Sequence, residues 1–301
     1  MSRRAALSKL AEAAGILASP WAFLAGRALK SPGLYRLAVH LDKHNVRAMQ
    51  QEMIAEGRSA LRFSQALFAA KLSRAVTEDG QALIKRYLSR AEGQLLQDLV
   101  CLLALGHKRD GYFVEVGVGE GQTISNTYFL EKEMGWKGLL VEPNPPFQAS
   151  ITACRSAALD TRAASSREGE RLEFEEVAED GALSRLAISA EDVGNVGTIN
   201  RHMVTTARLD TILSEHQAPA EIDFLSLDTE GTELDILDSV DFSRTRFGFM
   251  AIEQNHRSGD AVRLKAKLEG HGYRQILTEI SDFDAWYLHR DVPGAHLLPG
   301  A

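Results

Sequence analysis

Acidic residues at the ends of apolar runs are the groups in this sequence best placed to do chemistry. Glu115 lies in Tyr112–Val116, and the turn that follows holds Gly117, Gly119 and Gly121, with Glu120 among them. Glu142 follows the apolar run 138–141. Asp228-Thr-Glu-Gly231 follows Ile222–Leu227, and Glu253-Gln-Asn-His256 follows the apolar run 247–252. A doubly wound sheet brings the carboxyl ends of its strands to one edge, so these groups should line a single crevice.

The glycine turn discriminates between ligands. It reads GxGxG, whereas the dinucleotide fingerprint would place a third glycine where Gln122 stands. A pyrophosphate is anionic and binds backbone N–H groups at a helix N-terminus. Glu115 and Glu120 would repel it. They suit a ligand that carries an ammonium and a sulfonium, and S-adenosylmethionine has both. An acid at position 142 can accept hydrogen bonds from ribose hydroxyls. The plain alternative is a tight strand-to-helix turn with no ligand, and two acid-terminated runs at this spacing weigh against it.

Asp228 at the crevice can hold a cofactor ammonium, bind a divalent cation or accept a proton. Glu253 and His256 sit at the neighbouring strand end. They could complete an oxygen-rich metal site with Asp228, or act as a general base with an orienting carboxylate. His256 is the better base by its unperturbed pKa. Asp228 and Glu230 could instead only cap the following helix, and His256 could be an exposed loop residue.

The elements needed to position these groups follow from the pattern. Residues 1–108 read as a helical N-terminal extension, with Pro20 and Pro32 breaking its first part and Leu88, Leu95, Leu99, Leu102 and Leu103 on one face of a single later helix. Residues 109–301 alternate strand and helix candidates, the pattern of an α/β fold around a mostly parallel sheet. Strands are expected at 112–116, 138–141, 156–159, 222–227 and 247–252, with 172–176 as an edge strand and 207–213 as a short strand or helix. Helices are expected at 123–134, at 232–240 with a capping box of Thr232 and Asp235, and from Ser258 to Gly270. The runs 273–279 and 285–288 should close the sheet as an antiparallel hairpin. Segment 178–203 is polar and irregular.

Composition sets outer bounds. The net charge of −7 over 301 residues argues against nucleic acid as a partner. Residues 1–47 carry eight Lys/Arg against two acids, so this arm is +6 and the remainder −13. Its aromatic-apolar centre around Trp21 and Phe23 suits peripheral contact with an anionic membrane. The blander reading is a helical arm that packs on its own domain or forms a homo-oligomer. Cys101 and Cys154 have no metal-ligand spacing, which favours a reduced, cytoplasmic setting. No apolar run reaches the ~18 residues a membrane span requires.

Five motifs in order resemble the FkbM-type methyltransferases: Phe113-Val-Glu-Val-Gly-Val-Gly-Glu-Gly121, Val141-Glu-Pro-Asn-Pro145, Arg208-Leu-Asp-Thr-Ile212, Ile222-Asp-Phe-Leu-Ser-Leu-Asp-Thr-Glu-Gly231 and Ala251-Ile-Glu253. The resemblance covers roughly residues 110–290. It implies a class I methyltransferase (Rossmann-like) fold with a seven-stranded sheet, S-adenosyl-L-methionine as cofactor, and O-methylation of a hydroxyl on a sugar, glycan or related small molecule. It implies cofactor contacts from Glu115, Gly117, Gly119 and Gly121 on the methionine side, from Glu142 with Asn144 on the ribose side, and from Asp228 and Glu230 beside the transferred methyl. Asp210 matches the family's Leu-Asp pair. Ser226 is a departure, because many members carry lysine there. Two other readings stay open: an NAD-dependent sugar oxidoreductase, and a non-catalytic methyltransferase-like assembly module.

Overall fold

A computed structural model describes residues 61–177, 184–186, 199–254, 258–292 and 296–298. The chain divides into two units: Met1–Leu67 with Val193–Gly197, and Phe68–Asp192 with Thr198–Ala301. In the first, residues 61–67 are helical. The second holds both sheets found among the described residues.

Its main sheet has seven strands: β1 (Tyr112–Val116), β2 (Lys137–Val141), β3 (Ala158–Asp160), β8 (Glu221–Leu227), β9 (Arg246–Glu253), β10 (Tyr273–Ile276) and β11 (Asp284–His289), in the order β10-β11-β9-β8-β1-β2-β3. β11 runs antiparallel to both β9 and β10, and the other pairings are parallel. This is the expected class I methyltransferase-like α/β fold with its C-terminal antiparallel hairpin. The order reverses direction at β1, which lies between β2 and β8, and such a switch point opens a crevice at the strand ends.

The side-chain period of two sorts the strands into faces. Phe113, Phe224 and Phe249 lie in register and pack with the helices α1 (Glu78–Tyr87), α2 (Gln97–Ala104), α3 (Tyr128–Met134) and α4 (Pro145–Cys154). Val114, Leu225 and Met250 face the other layer, made by α5 (Leu209–Glu215), α6 (Glu233–Asp238) and α7 (Ser258–Gly270). Both faces are covered, which is why these strands read as nearly continuous apolar runs. By the same period Glu115, Ser226, Glu253 and Asp284 share the first face, at its carboxyl edge.

Four short strands form a second sheet in the order β4-β7-β5-β6: β4 (Ala163–Ala164), β5 (Arg171–Val177), β6 (Arg185–Leu186) and β7 (Ile199–Ala207). The run at 172–176 belongs to this sheet rather than to an edge of the main one. Part of the segment expected to be irregular supplies β6 and the start of β7. The run at 207–213 ends β7 and then forms α5.

Several local expectations are corrected. The apolar face from Leu88 to Leu103 is not one helix. It breaks after α1 and restarts at α2 behind Leu96, a left-handed residue (φ 54°). Asp98 stabilises that break by accepting backbone N–H groups from Glu92 (2.8 Å), Gly93 (3.3 Å) and Leu99 (2.9 Å). The helix expected from Thr123 starts only at Tyr128, because residues 117–127 wrap a buried carboxylate. The Thr232–Asp235 capping box does not form. Thr232 makes no side-chain cap, and Asp235 instead accepts from Ser165 and Ser166 in the turn after β4.

The α2 start is tied to the sheet by a buried polar contact. Gln97 Nε2 and Trp286 Nε1 both donate to Asp284 Oδ2 at 2.9 Å. Burial pushes the Asp284 carboxyl up to about 6 despite these bonds. The ionised form is therefore penalised in the fold, fully so above pH 6, and the penalty fades as pH falls toward the unfolded value of 3.8. Asp284→Asn keeps an acceptor oxygen without the charge. It should be more stable than wild type by about 2 kcal/mol at pH 8, with the gap narrowed by roughly half at pH 5. Urea unfolding at the two pH values checks this, and an unchanging gap would contradict it.

Candidate active site

The crevice begins where β1, β2 and β8 end. Gly117 N donates to Val141 O (3.1 Å) and Asp228 N donates to Val116 O (3.0 Å), so the strands stay paired to their last residues. Gly117 then turns with φ 82°, and a Cβ there would lie 1.7 Å from Asp228 O. Only glycine fits that conformation and that approach. Gly119 (φ 61°) borders open space. Gly121 does not reach the crevice: a Cβ on it would meet Ile151 and the Cys154 sulfur of α4.

The resulting cleft encloses about 780 Å³ of space between atoms, part of it open solvent. Glu115, Gly117, Gly119, Glu142 and Asp228 are among the residues that line it, whereas Glu230 and Glu253 are not. Asn126, Phe147, Ala163, Phe174 and Leu186 also line it and were not foreseen. Three of these come from the second sheet, whose small apolar cluster of Ala163, Phe174, Leu186 and Val204 closes one side. Nothing in their local pattern marks them as site residues.

Two of the four predicted cofactor carboxylates, Glu142 and Glu115, are strongly engaged by the protein's own donors. Glu142 Oε2 accepts the N–H groups of Val118 (3.0 Å) and Gly119 (2.9 Å), and Oε1 accepts from Asn144 (2.9 Å). Burial outweighs those donors and pushes this carboxyl up to about 7. The Asn144 side chain is buried and is not among the residues lining the cleft, and neither of its polar atoms is hydrogen-bonded. Glu115 is deeper in its commitments. It accepts from Asn126 N (2.7 Å), Thr127 Oγ1 (2.6 Å) and Ser125 Oγ (3.0 Å to the nearer oxygen). Arg155 Nη1 lies 3.5 Å away.

Arg155, absent from the expected site, organises this region. Its fully buried side chain pairs with Glu131 (2.7 Å) and donates to Gly121 O (3.0 Å), Ser125 Oγ (3.2 Å) and Thr127 Oγ1 (2.7 Å). The pairing and hydrogen bonds outweigh burial and hold Glu131 down at about 2. A solitary Arg after a helix carries no sequence signal for this role.

Asp228, Glu230 and Glu253 converge. One carboxylate oxygen from each lies within 4.8 Å of the others. Glu230 and Gly231 both have left-handed backbone (φ 56° and 114°), a strained turn of the kind that concentrates at functional sites. Glu233 Oε1 braces it by accepting from Thr229 N (2.8 Å) and Gly231 N (3.2 Å). Such a cluster can share a proton or hold a hard cation through oxygen ligands. Asp210 lies elsewhere and accepts from Asp241 N (2.9 Å). His256 and the basic arm at 1–47 lie outside the described residues.

A model of the methyltransferase FkbM domain matches residues 115–275, more than half the chain. The chain belongs to the FkbM methyltransferase family. The match runs from Glu115 in β1 to Gln275 in β10 and so takes in the cleft and the acid cluster. Among solved structures, the precorrin-6y C5,15-methyltransferase of Geobacter metallireducens GS-15 is 17% identical, with a TM-score of 0.33 over 59% of this chain and 72% of the other. A provisionally assigned RNA methyltransferase, PH1948 of Pyrococcus horikoshii, is 9% identical, with a TM-score of 0.32 over 60% and 68%. A comparison with curated proteins finds no match. An FkbM methyltransferase uses S-adenosylmethionine, and these residues fit it. Gly117 has no room for a side chain, Gly119 opens onto free space, and the buried Asn126 Oδ1 has no partner.

Arg155→Met should destabilise the FkbM domain by about 3–5 kcal/mol, since it leaves Glu115 and Glu131 without their buried counter-charge. Chemical denaturation measures it. A loss below about 1 kcal/mol would show the network to be dispensable.

Proposed function

We propose that this FkbM methyltransferase is an O-methyltransferase acting on a hydroxyl of a sugar, glycan or related small molecule. The observation that carries this reading is the convergence of Asp228, Glu230 and Glu253 within 4.8 Å beside the glycine turn. S-adenosylmethionine supplies a methyl group already bonded to an electrophilic sulfonium. The protein's share is to hold an acceptor oxygen in line and to take up its proton, because a sugar hydroxyl does not ionise near neutral pH. Asp228, half-buried on the cleft wall, is the proposed base. Glu253 and Glu230 stand beside it, one carboxylate oxygen of each within 4.8 Å of the others. His256, three residues after Glu253, is a second candidate base.

The same cluster supports a second reading, in which a divalent cation between Asp228 and Glu253 lowers the hydroxyl's pKa. The glycan or small molecule would enter from the solvent side of the cleft. The acidic net charge of −7 favours neutral or cationic substrates over nucleic acid. A cytoplasmic setting, with the N-terminal arm used for membrane or self-association, completes the proposal. Among the described residues no helix is long and apolar enough to cross a membrane.

Asp228→Asn should reduce methyl transfer at least about a hundredfold while S-adenosylhomocysteine still binds. The assay is mass spectrometry of a glycan and metabolite panel, reading a gain of about 14 Da. Full activity in the variant removes Asp228 as base. Activity of the wild type that survives a chelator excludes the metal reading. Calorimetric binding of NAD in preference to S-adenosylhomocysteine would refute the cofactor assignment.

A further inference from the structure

With the cofactor placed in this cleft as above, its α-ammonium needs hydrogen-bond acceptors. Glu115, the residue expected from the sequence, is already occupied. Both of its oxygens accept protein donors, and Arg155 balances its charge. A carboxylate used in this way has little capacity left for a ligand.

Asn126 lies next to it. The residue lines the cleft and is 7% exposed. Its Nδ2 donates to the buried Ser226 Oγ at 2.9 Å, and its Oδ1 has no partner. Ser226 sits on β8 opposite Glu115 of β1, so this bond spans the switch point itself. Gly93, joined to Ile124 by an isolated β-bridge, comes up beside the same oxygen, and a Cβ at 93 would lie 3.0 Å from it. The amide is thus held at one end by Ser226, while its other end is an acceptor without a donor. A buried amide oxygen in that state is costly, and a ligand N–H removes the cost.

We infer that Asn126 Oδ1 accepts a hydrogen bond from the α-ammonium of the bound cofactor, and that Ser226 positions Asn126 to do so. Glu115 then acts on the cofactor indirectly, by fixing the backbone of Asn126 through the bond to its N–H (2.7 Å). Serine at 226 fits this arrangement. A neutral, short hydroxyl leaves space for Asn126 and adds no positive charge beside the ammonium.

The test rests on the cofactor reading and can fail separately from it. Calorimetry compares S-adenosylhomocysteine with methylthioadenosine, which lacks the amino-acid end. Asn126→Ala should weaken S-adenosylhomocysteine about tenfold or more and leave methylthioadenosine within about twofold. Ser226→Ala should show the same selective loss, smaller in size. Equal loss of both ligands, or no loss, overturns the inference. If Asn126→Ala does not fold, the wild type decides: it should prefer S-adenosylhomocysteine over its analogue without the α-amino group by about tenfold, and Asn126→Asp, which keeps an acceptor oxygen, should retain that preference. A wild type indifferent to the amino group overturns the inference. A wild type that binds none of these ligands overturns the cofactor reading, and this inference with it.

Discussion

The buried contact between Arg155 and Glu115 is the constraint on which the crevice depends. Eleven residues, from Gly117 to Thr127, cross the carboxyl ends of the strands without forming a helix. A loop of that kind needs its backbone groups satisfied away from water. Glu115 supplies the acceptors from below, and Arg155 supplies donors from the end of α4. Without Arg155, both Glu115 and Glu131 would lose their buried counter-charge. The glycine turn, the position of Asn126 and the late start of α3 all follow from this pairing.

The sheet period explains why so many polar groups meet here. Residues an even number of positions beyond Phe113, Phe224 and Phe249 along their strands lie on the same face as those rings. At the carboxyl edge that face carries Glu115, Ser226, Glu253 and Asp284. Each meets a polar partner or another acid rather than a helix core. Asn126 reaches Ser226, Gln97 reaches Asp284, and Glu253 joins Asp228 and Glu230. The helices before β1 therefore contribute to the edge of the site through α2, whose first residue holds the strand next to Glu253.

Much of this was legible beforehand. Five of the seven main strands were marked by apolar runs that stop at a charged residue or a glycine, and the C-terminal pair by two runs that flank the polar turn Ser281–Asp284. Period and punctuation are local, so short windows reveal them. Glu115, Glu142, Asp228 and Glu253 were legible as strand-end acids for the same reason. Asn126, Arg155 and Phe174 were not. They stand 11, 40 and 59 residues beyond Glu115 in the sequence, on elements whose local pattern says nothing about what they will face. The single helix drawn through Leu88–Leu103 was misread because its heptad-like spacing continues across a break that only Asp98, folded back on Glu92 and Gly93, makes stable.

The sequence by itself determined the layered α/β class, the position of the glycine turn and the identity of the acids at the crevice, because each depends on neighbours within a few residues. Tertiary structure decided what those acids do. Glu115 has the residue type of a ligand-binding carboxylate, yet its oxygens are filled by Ser125, Asn126 and Thr127. Hydrogen-bond capacity is finite, and which donors claim it depends on contacts across the fold that no local pattern encodes.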